Sequence, residues 1–579
     1  MLTRRDVLRA GVAVTGAAAT RGLAAAVPTA PRFDHGVASG DPVTDAVVLW
    51  TRVGGGGDGD LAVRWTIARD PALADVVLEG EALAALDADR TVHVDVGGLA
   101  AGTTWFYGFE AGGVRSPVGR TRTARGPADD DEVRLGVVSC ASYAAGPFTA
   151  YGHLAETDVD LVVHLGDYLY DTGRGVRRHD PPDAPVSLDD YRRRHAQQRS
   201  DPDLQRLHAQ LPMAAVWDDH EVVGNAWRGG APGHDPAVHG PWEARRAAAV
   251  RAWFEWLPIR RPDLGDDDRI WRSLPLGGVA ELFLLDTRHD GRDEQVSAGD
   301  EDGGAALAAP GRRLLSTSQE SWLAGSLAAS TASWRVLGNQ VVLTPLAFEV
   351  PSALASPTSS LGLTIDGKVV NPDAWDGYPA ARERLLDAVA VGGPTVVLTG
   401  DVHSSWAFEV PGRDGTPVTV EWVTPSVTAQ PFSEIVGIPT PALAPAAVDL
   451  IAGQLPQVRW AELTRHGFLV VSLTTDEARC DWWHVDLDHG GAVVAASWST
   501  RPGTNRLEPG RPIGVRPAAP PPSTPPSAPP STSTTVRGER DGGGGPSKSA
   551  LTGAAAGGAI GAAALGGVVA LRRRRRRRR

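Results

Sequence analysis

Between residues 33 and 125 the hydrophobic positions come in short runs with turn punctuation, the period-2 pattern of half-buried strands. Val47-Val48-Leu49-Trp50-Thr51-Arg52-Val53, Leu61-Ala62-Val63-Arg64-Trp65-Thr66-Ile67, Thr91-Val92-His93-Val94-Asp95-Val96 and Thr104-Trp105-Phe106-Tyr107-Gly108-Phe109 predict four strands. Gly54 to Gly57, then Asp58-Gly59, reads as a hairpin turn between the first two. From Val133 the pattern changes. Continuous apolar runs of strand length now alternate with longer, often helical stretches, which is the signature of α/β layering.

The tyrosine near the start of the 104–109 strand resembles the tyrosine corner of immunoglobulin or fibronectin-type sandwiches. Residues 31–126 are therefore expected to form an N-terminal all-β sandwich domain. Residues 127–502 are expected to hold an α/β body. Apolar residues make up 42% and charged residues 22% of the 579, so wholesale disorder is excluded and two to four folding units are expected. Two cysteines, Cys140 and Cys480, cannot build a disulfide framework, although they could pair with each other.

Charge separates the ends from the body. The net charge is −12, but residues 572–579 carry +8 and residues 1–30 a net +3, which leaves −23 between them. Such a body is a poor partner for nucleic acid, because no basic surface would release phosphate counterions. Residues 1–30 have a charged start, a run of small apolar residues and Ala-rich cleavage options, the layout of an export signal. Thr3-Arg4-Arg5-Asp6-Val7-Leu8-Arg9 resembles the twin-arginine consensus, so the twin-arginine export machinery is an expected partner. Residues 503–548 read as a Pro/Ser/Thr/Gly-rich linker. Residues 549–571 are expected to span the membrane, with the 572–579 arginines held in the cytoplasm and the body at the cell surface. A tail that is cut and transferred is the alternative, and a monomer is expected.

The chemistry lies at the ends of four apolar runs of the α/β region. Val137-Val138 leads to Ser139-Cys140, and Leu161 to Leu165 leads to Gly166-Asp167-Tyr168-Leu169-Tyr170. Met213 to Trp217 leads to Asp218-Asp219-His220-Glu221, with Asn225 soon after, and Thr395 to Thr399 leads to Gly400-Asp401-Val402-His403. Ligands of open α/β sheets bind beyond the carboxyl ends of the strands, so these four ends converge on one site. One aspartate can bridge two cations while oxygen and nitrogen donors from other strands complete each shell. Two cations about 3.5–4 Å apart can clamp both the attacking and the leaving oxygen of a phosphoryl displacement. Gly-Asp after a strand is common turn chemistry; the ordered set of four is the specific signal.

These motifs resemble the PhoD-like alkaline phosphatases and phosphodiesterases of the calcineurin-like metallophosphoesterase superfamily. Gly36-Val37-Ala38-Ser39-Gly40-Asp41-Pro42, Asp286-Thr287-Arg288 and His466-Gly467-Phe468 add to the resemblance, which runs from Asp34 to about Trp498. It implies a metallophosphoesterase sandwich, two packed sheets flanked by helices, behind the N-terminal β domain. It implies Asp167 as the bridging ligand and Cys140 and Tyr170 on a ferric ion, with a histidine from His403 or His466. Calcium would take Asp167 with Asp218 or Asp219 and Asn225, and Asp401 is either a ligand or the partner that orients His403. His220 would stand by the leaving group as general acid, its pKa raised by Asp219 or Glu221, and Arg288 would clamp phosphate or form a salt bridge.

The implied activity is hydrolysis of phosphate monoesters or phosphodiesters by a metal-activated hydroxide. A phospholipase D-type or wall-polymer phosphodiesterase is a narrower alternative. A surface adhesion protein with structural metals is the non-enzyme alternative. His153, His164, His195, His208 and His484 belong to no constellation and are read as core or surface residues. Residues 291–311 and 350–379 read as loops bordering the cleft.

Overall fold

In a computed structural model the described residues are 30–516, apart from 174, 262–267, 298–302, 350–362, 366, 437, 439–440, 489 and 515. The signal segment, the membrane-span segment, the arginine tail and parts of both expected cleft loops lie outside them. No helix among the described residues is long and apolar enough to cross a membrane.

Two large sheets form the body. The strands Val133–Val138, Leu161–His164 and Met213–Ala215 run parallel at the centre of a ten-stranded sheet. On one side the sheet continues through the antiparallel strands His466–Leu473, Ala478–Val485 and Ala492–Thr500. The second sheet has seven strands, with Ala280–Leu284, Trp334–Asn339, Thr395–Thr399 and Pro417–Val423 parallel at its centre. Central strands buried on both faces read as unbroken apolar runs, which is why they were legible in the sequence. Val137, Val163, Val336, Val396, Leu398 and Val420 share one core cluster, so the two sheets pack face to face. Helices cover the outer faces. Thr149–Leu154 lies against Gly136, while Thr317–Ala329 and Pro379–Gly392 share a second core cluster with Phe283, Leu337 and Val397. Both cysteines are buried and free.

The N-terminal β region is a sandwich, but only one of its layers is its own. Val76–Ala84, Leu61–Ala68, Thr104–Ala111 and Val114–Arg115 follow one another in a separate sheet, with Gly119–Arg122 beside Thr104–Ala111. Val37–Gly40, Ala46–Arg52 and Thr91–Gly97 instead extend the ten-stranded sheet beyond Met213–Ala215. Their inward residues Val37, Val47, Val92 and Val94 pack on Val63, Ile67, Trp105 and Tyr107.

Three sequence expectations change here. Gly54–Gly59 is not a hairpin turn, because the strands flanking it lie in different sheets. It is a crossover whose carbonyls at Gly55, Gly57 and Gly59 accept from the Arg90 guanidinium. Tyr107 is no corner residue; it sits mid-strand and fully buried, edge-on to Phe109. The linker does not begin at 503, for the chain stays on the body as far as Arg516. The Leu507 amide donates to Glu409 at 2.9 Å and the Ile513 amide to Asp481 at 2.7 Å. Arg516 closes the strap with two bonds of 2.8 Å to Asp160.

Candidate metal centre

The strands Val133–Val138, Leu161–His164 and Thr395–Thr399 each end in a tight reversal that carries a candidate ligand. Cys140, Asp167, Asn225, Asp401 and His403 have φ of 60°, 53°, 58°, 65° and 51°, in the left-handed region that non-glycine residues seldom occupy. Such strain persists only where the surroundings over-determine it, and it clusters at functional sites. Glycine lets the strand ends come this close. A Cβ on Gly166 would lie 2.5 Å from the Asp218 amide nitrogen, and one on Gly400 would lie 2.8 Å from Ser139.

Three groups of ligand atoms follow, each with all atoms within 4.8 Å of one another. They are Cys140 with Asp167 and His403, Asp167 with Asp219 and His220, and Asp218 with Asp219 and Asp401. Asp167 belongs to the first two groups and Asp219 to the last two. The Tyr170 hydroxyl joins the first group, donating to Asp167 Oδ2 at 2.9 Å and standing 2.9 Å from His403 Nε2. His403 Nδ1 donates to the Gln430 carbonyl at 2.8 Å, which leaves the Nε2 lone pair facing the group.

The field is dense with negative charge. Burial and the Asp167 carboxylate push both the Cys140 thiol and the Tyr170 phenol well above their ordinary pKa. Burial, with Asp219 and Asp218, raises Asp167 in the same direction. A multivalent cation reverses that logic and holds thiol, phenol and carboxylate as anions. The donor set fits such ions: thiol, phenol, imidazole and carboxylate in the first group, and carboxylates alone in the third.

His220 stacks on the Tyr170 ring at a centroid distance of 4.2 Å. Its Nδ1 donates to Asp171 Oδ1 at 2.5 Å. Burial alone would lower the His220 pKa, but Asp219, Asp167 and Asp171 outweigh it and hold it well above the usual value. Asp171 was not singled out from the sequence, although it directly follows the Gly-Asp-x-x-Tyr motif. Glu221, expected beside His220, faces the other way. Its carboxylate accepts the Tyr168 amide at 2.6 Å and the Asp218 amide at 2.9 Å, so it is a strut between two strand ends. Burial raises its pKa to about 8.

Arg288 is not an exposed phosphate clamp. It is fully buried with its guanidinium spent on carboxylates: both Asp218 oxygens, Asp373 at 2.8 Å and Asp401 at 3.3 Å, with Asp219 at 3.6 Å. Of the two sequence readings, the salt bridge is the one the geometry supports. Asp373, which also takes Arg292 and Gln295, was missed. It lies 155 positions beyond Asp218, outside any motif. Asn225 is exposed in its left-handed turn, and its amide donates to Asp219. His466 opens the strand His466–Leu473 with Nδ1 3.1 Å from Ser426 Oγ, and belongs to none of the three groups.

Two facing sheets with thiol, phenol, imidazole and carboxylates at the parallel strand ends define the metallophosphoesterase class of fold. Within that class the chain belongs to the PhoD-like phosphatase family. The family model for PhoD-like phosphatase matches residues 135–482, and that for the PhoD-like phosphatase N-terminal domain matches 17–125. Alkaline phosphatase D of Bacillus subtilis (strain 168) is 38% identical over 395 residues, which is 65% of each chain. The alignment thus spans just under two thirds of that relative's length. A solved structure of PhoD superposes with a TM-score of 0.72 at 30% identity, covering 84% of this chain and 93% of that one.

Proposed function

We propose that this chain is a metal-dependent phosphoesterase that hydrolyses phosphate monoesters or phosphodiesters. The observation that carries this reading is the chain of shared carboxylates, Asp167 in the first two ligand groups and Asp219 in the last two, with His220 in the middle group. Cys140, Tyr170, His403 and Asp167 suit a ferric ion, and Asp219 with Asp218, Asp401 and Asn225 suits calcium. Bound there, such cations would neutralise charge on the phosphoryl oxygens and acidify a water. The remaining work falls to the protein. Asp171 fixes the His220 ring through Nδ1. Asp171, which is in none of the ligand groups, would keep its charge with cations bound and would favour the protonated ring, ready to give its proton to the leaving oxygen. Arg288 offsets the repulsion among Asp218, Asp219, Asp373 and Asp401, so the carboxylates can remain gathered. Twin-arginine export and attachment through residues 549–571 complete the proposal and rest on the sequence of those segments.

The test is hydrolysis of p-nitrophenyl phosphate and bis-p-nitrophenyl phosphate by the wild type, His220→Ala and Asp167→Ala, with metal analysis and a visible spectrum. Losses of roughly 10²–10⁴-fold in His220→Ala are expected for a general acid. Equal, chelator-insensitive rates in all three proteins would refute catalysis. A colourless, iron-free, fully active protein would remove the ferric assignment alone. The ratio of the two rates separates monoesterase from diesterase.

A further inference from the structure

We infer that Asp41, in the N-terminal β region, is a positioning residue for the metal centre: through Arg272 it fixes the strand end that carries Asp218, Asp219 and His220. This rests on the functional reading above and concerns how that site is held.

Asp41 follows the strand Val37–Gly40, which pairs in parallel with Met213–Ala215 through Gly40 and Met213. Its backbone is left-handed, with φ of 42°, and its side chain is fully buried. Every polar group it offers is used across the junction. The amide donates to the Met213 carbonyl at 3.2 Å. Oδ2 accepts the Arg260 amide at 2.9 Å, and the carbonyl accepts Arg260 Nη1 at 2.7 Å. Oδ1 accepts Arg272 Nη2 at 2.6 Å. The same Nη2 donates to the Ala215 carbonyl at 3.1 Å, three residues before Asp218. Gly40 makes the approach feasible, since a Cβ there would lie 2.3 Å from the Pro258 carbonyl oxygen and 2.4 Å from that of Met213.

Arg272 also opens the edge strand Arg272–Leu276 of the second sheet, opposite Leu284. Leu284 is four residues ahead of Arg288. One buried carboxylate thus reaches, through one guanidinium, both strands whose ends meet in the Arg288–Asp218 pair. Charge-assisted bonds of this kind are short and directional, and the two acceptors on Nη2 fix the distance between Asp41 and Ala215. Partners that orient ligands in this way typically change metal affinity by about 10–100-fold when removed. The N-terminal β region then acts as a clamp on the catalytic strand rather than as a separate module.

The test is hydrogen–deuterium exchange on the full-length protein, metal-loaded and again after chelation, with calcium titration calorimetry. The variants are Asp41→Ala, Arg272→Lys, whose nitrogen stops one bond short of the position of Nη2, and Asp95→Ala. The last breaks a half-exposed pair with Arg260 at the same junction without touching Ala215. Peptides spanning 216–222 should exchange at least tenfold faster in Asp41→Ala and Arg272→Lys, those spanning 395–399 should not change, and Asp95→Ala should match the wild type. Calcium affinity should fall by about 10–100-fold in the first two variants only. Unchanged exchange at 216–222 in both clamp variants overturns the inference, as does the same acceleration in Asp95→Ala. If Asp41→Ala does not fold, Arg272→Lys and Asp41→Asn carry the same comparison. The chelated exchange data stand apart from catalysis: equal, chelator-insensitive hydrolysis in the His220→Ala and Asp167→Ala controls would defeat the functional reading, whereas unchanged exchange at 216–222 would defeat the clamp alone.

Discussion

Gly166→Ala is the sharpest test of how the strand ends are spaced. Gly166 has φ of 100°, and an added Cβ would lie 2.5 Å from both the Asp218 nitrogen and the Asp218 Cβ, and 2.8 Å from the Trp217 carbonyl carbon. The unfavourable φ costs an L-residue about 1–2 kcal/mol. The overlap is with backbone, which cannot swing aside, and forced overpacking of this kind adds about 1–3 kcal/mol. To restore ordinary contact the Asp167 and Asp218 loops must part by roughly 1 Å, a misplacement that can cost about 10²-fold in rate. Gly113→Ala separates the two contributions: it also has a left-handed φ, of 80°, but nothing lies within 4 Å of its Cβ. Urea unfolding followed by tryptophan fluorescence should show Gly166→Ala roughly 1–3 kcal/mol less stable than Gly113→Ala. Hydrolysis of p-nitrophenyl phosphate should fall about 10²-fold in the former alone. A Gly166→Ala protein no less stable than Gly113→Ala, and with wild-type turnover, would refute the close-packing account of Asp167 and Asp218.

Three further outcomes follow from the buried charges. In Asp171→Asn the His220 ring loses a carboxylate that raises its pKa; since the acid must be protonated to act, the alkaline fall in kcat should move to lower pH, with KM little changed, and an unmoved limb would contradict the pairing. Arg288→Met leaves Asp218, Asp219, Asp373 and Asp401 without their shared cation and should cost about 3–5 kcal/mol in chelated protein. Added calcium should recover more stability in that variant than in the wild type, as read by thermal unfolding; equal gains would contradict it. Burial would raise the Asp160 pKa, but Arg516, Arg122 and Arg125 outweigh it and hold it below the usual value. A depressed native pKa gives stability that is in place above the unfolded value of about 3.9 and is lost as pH falls through the native one. Arg516→Ala should therefore be less stable than the wild type at pH 7, with the gap closing below about pH 4; a gap independent of pH would refute it.

The sequence alone determined the parts of this protein that depend on local pattern. Central strands buried on both faces must be unbroken apolar runs, so Val133–Val138, Leu161–His164 and Thr395–Thr399 were legible within a residue or so. Parallel strands present their carboxyl ends on one side, so Cys140, Asp167, Asp218, Asp219 and His403 could be gathered in advance. The tertiary structure decided everything that depends on partners distant along the chain. The alternation of apolar and polar positions does not say which sheet a strand joins; hence the glycine stretch at 54–59 looked like a hairpin, and the N-terminal strands looked self-contained. A charged side chain's role depends on what surrounds it. From the sequence Arg288 could be a phosphate clamp or a salt bridge; only the fold sets four carboxylates from three separate segments around it. Asp373 carries no motif because nothing local marks it; only folding brings it beside Arg288. Asp171 and Glu221 flank equally plausible motifs. Which of them faces His220 was set by the direction in which each strand end turns, a property of the fold and not of either residue.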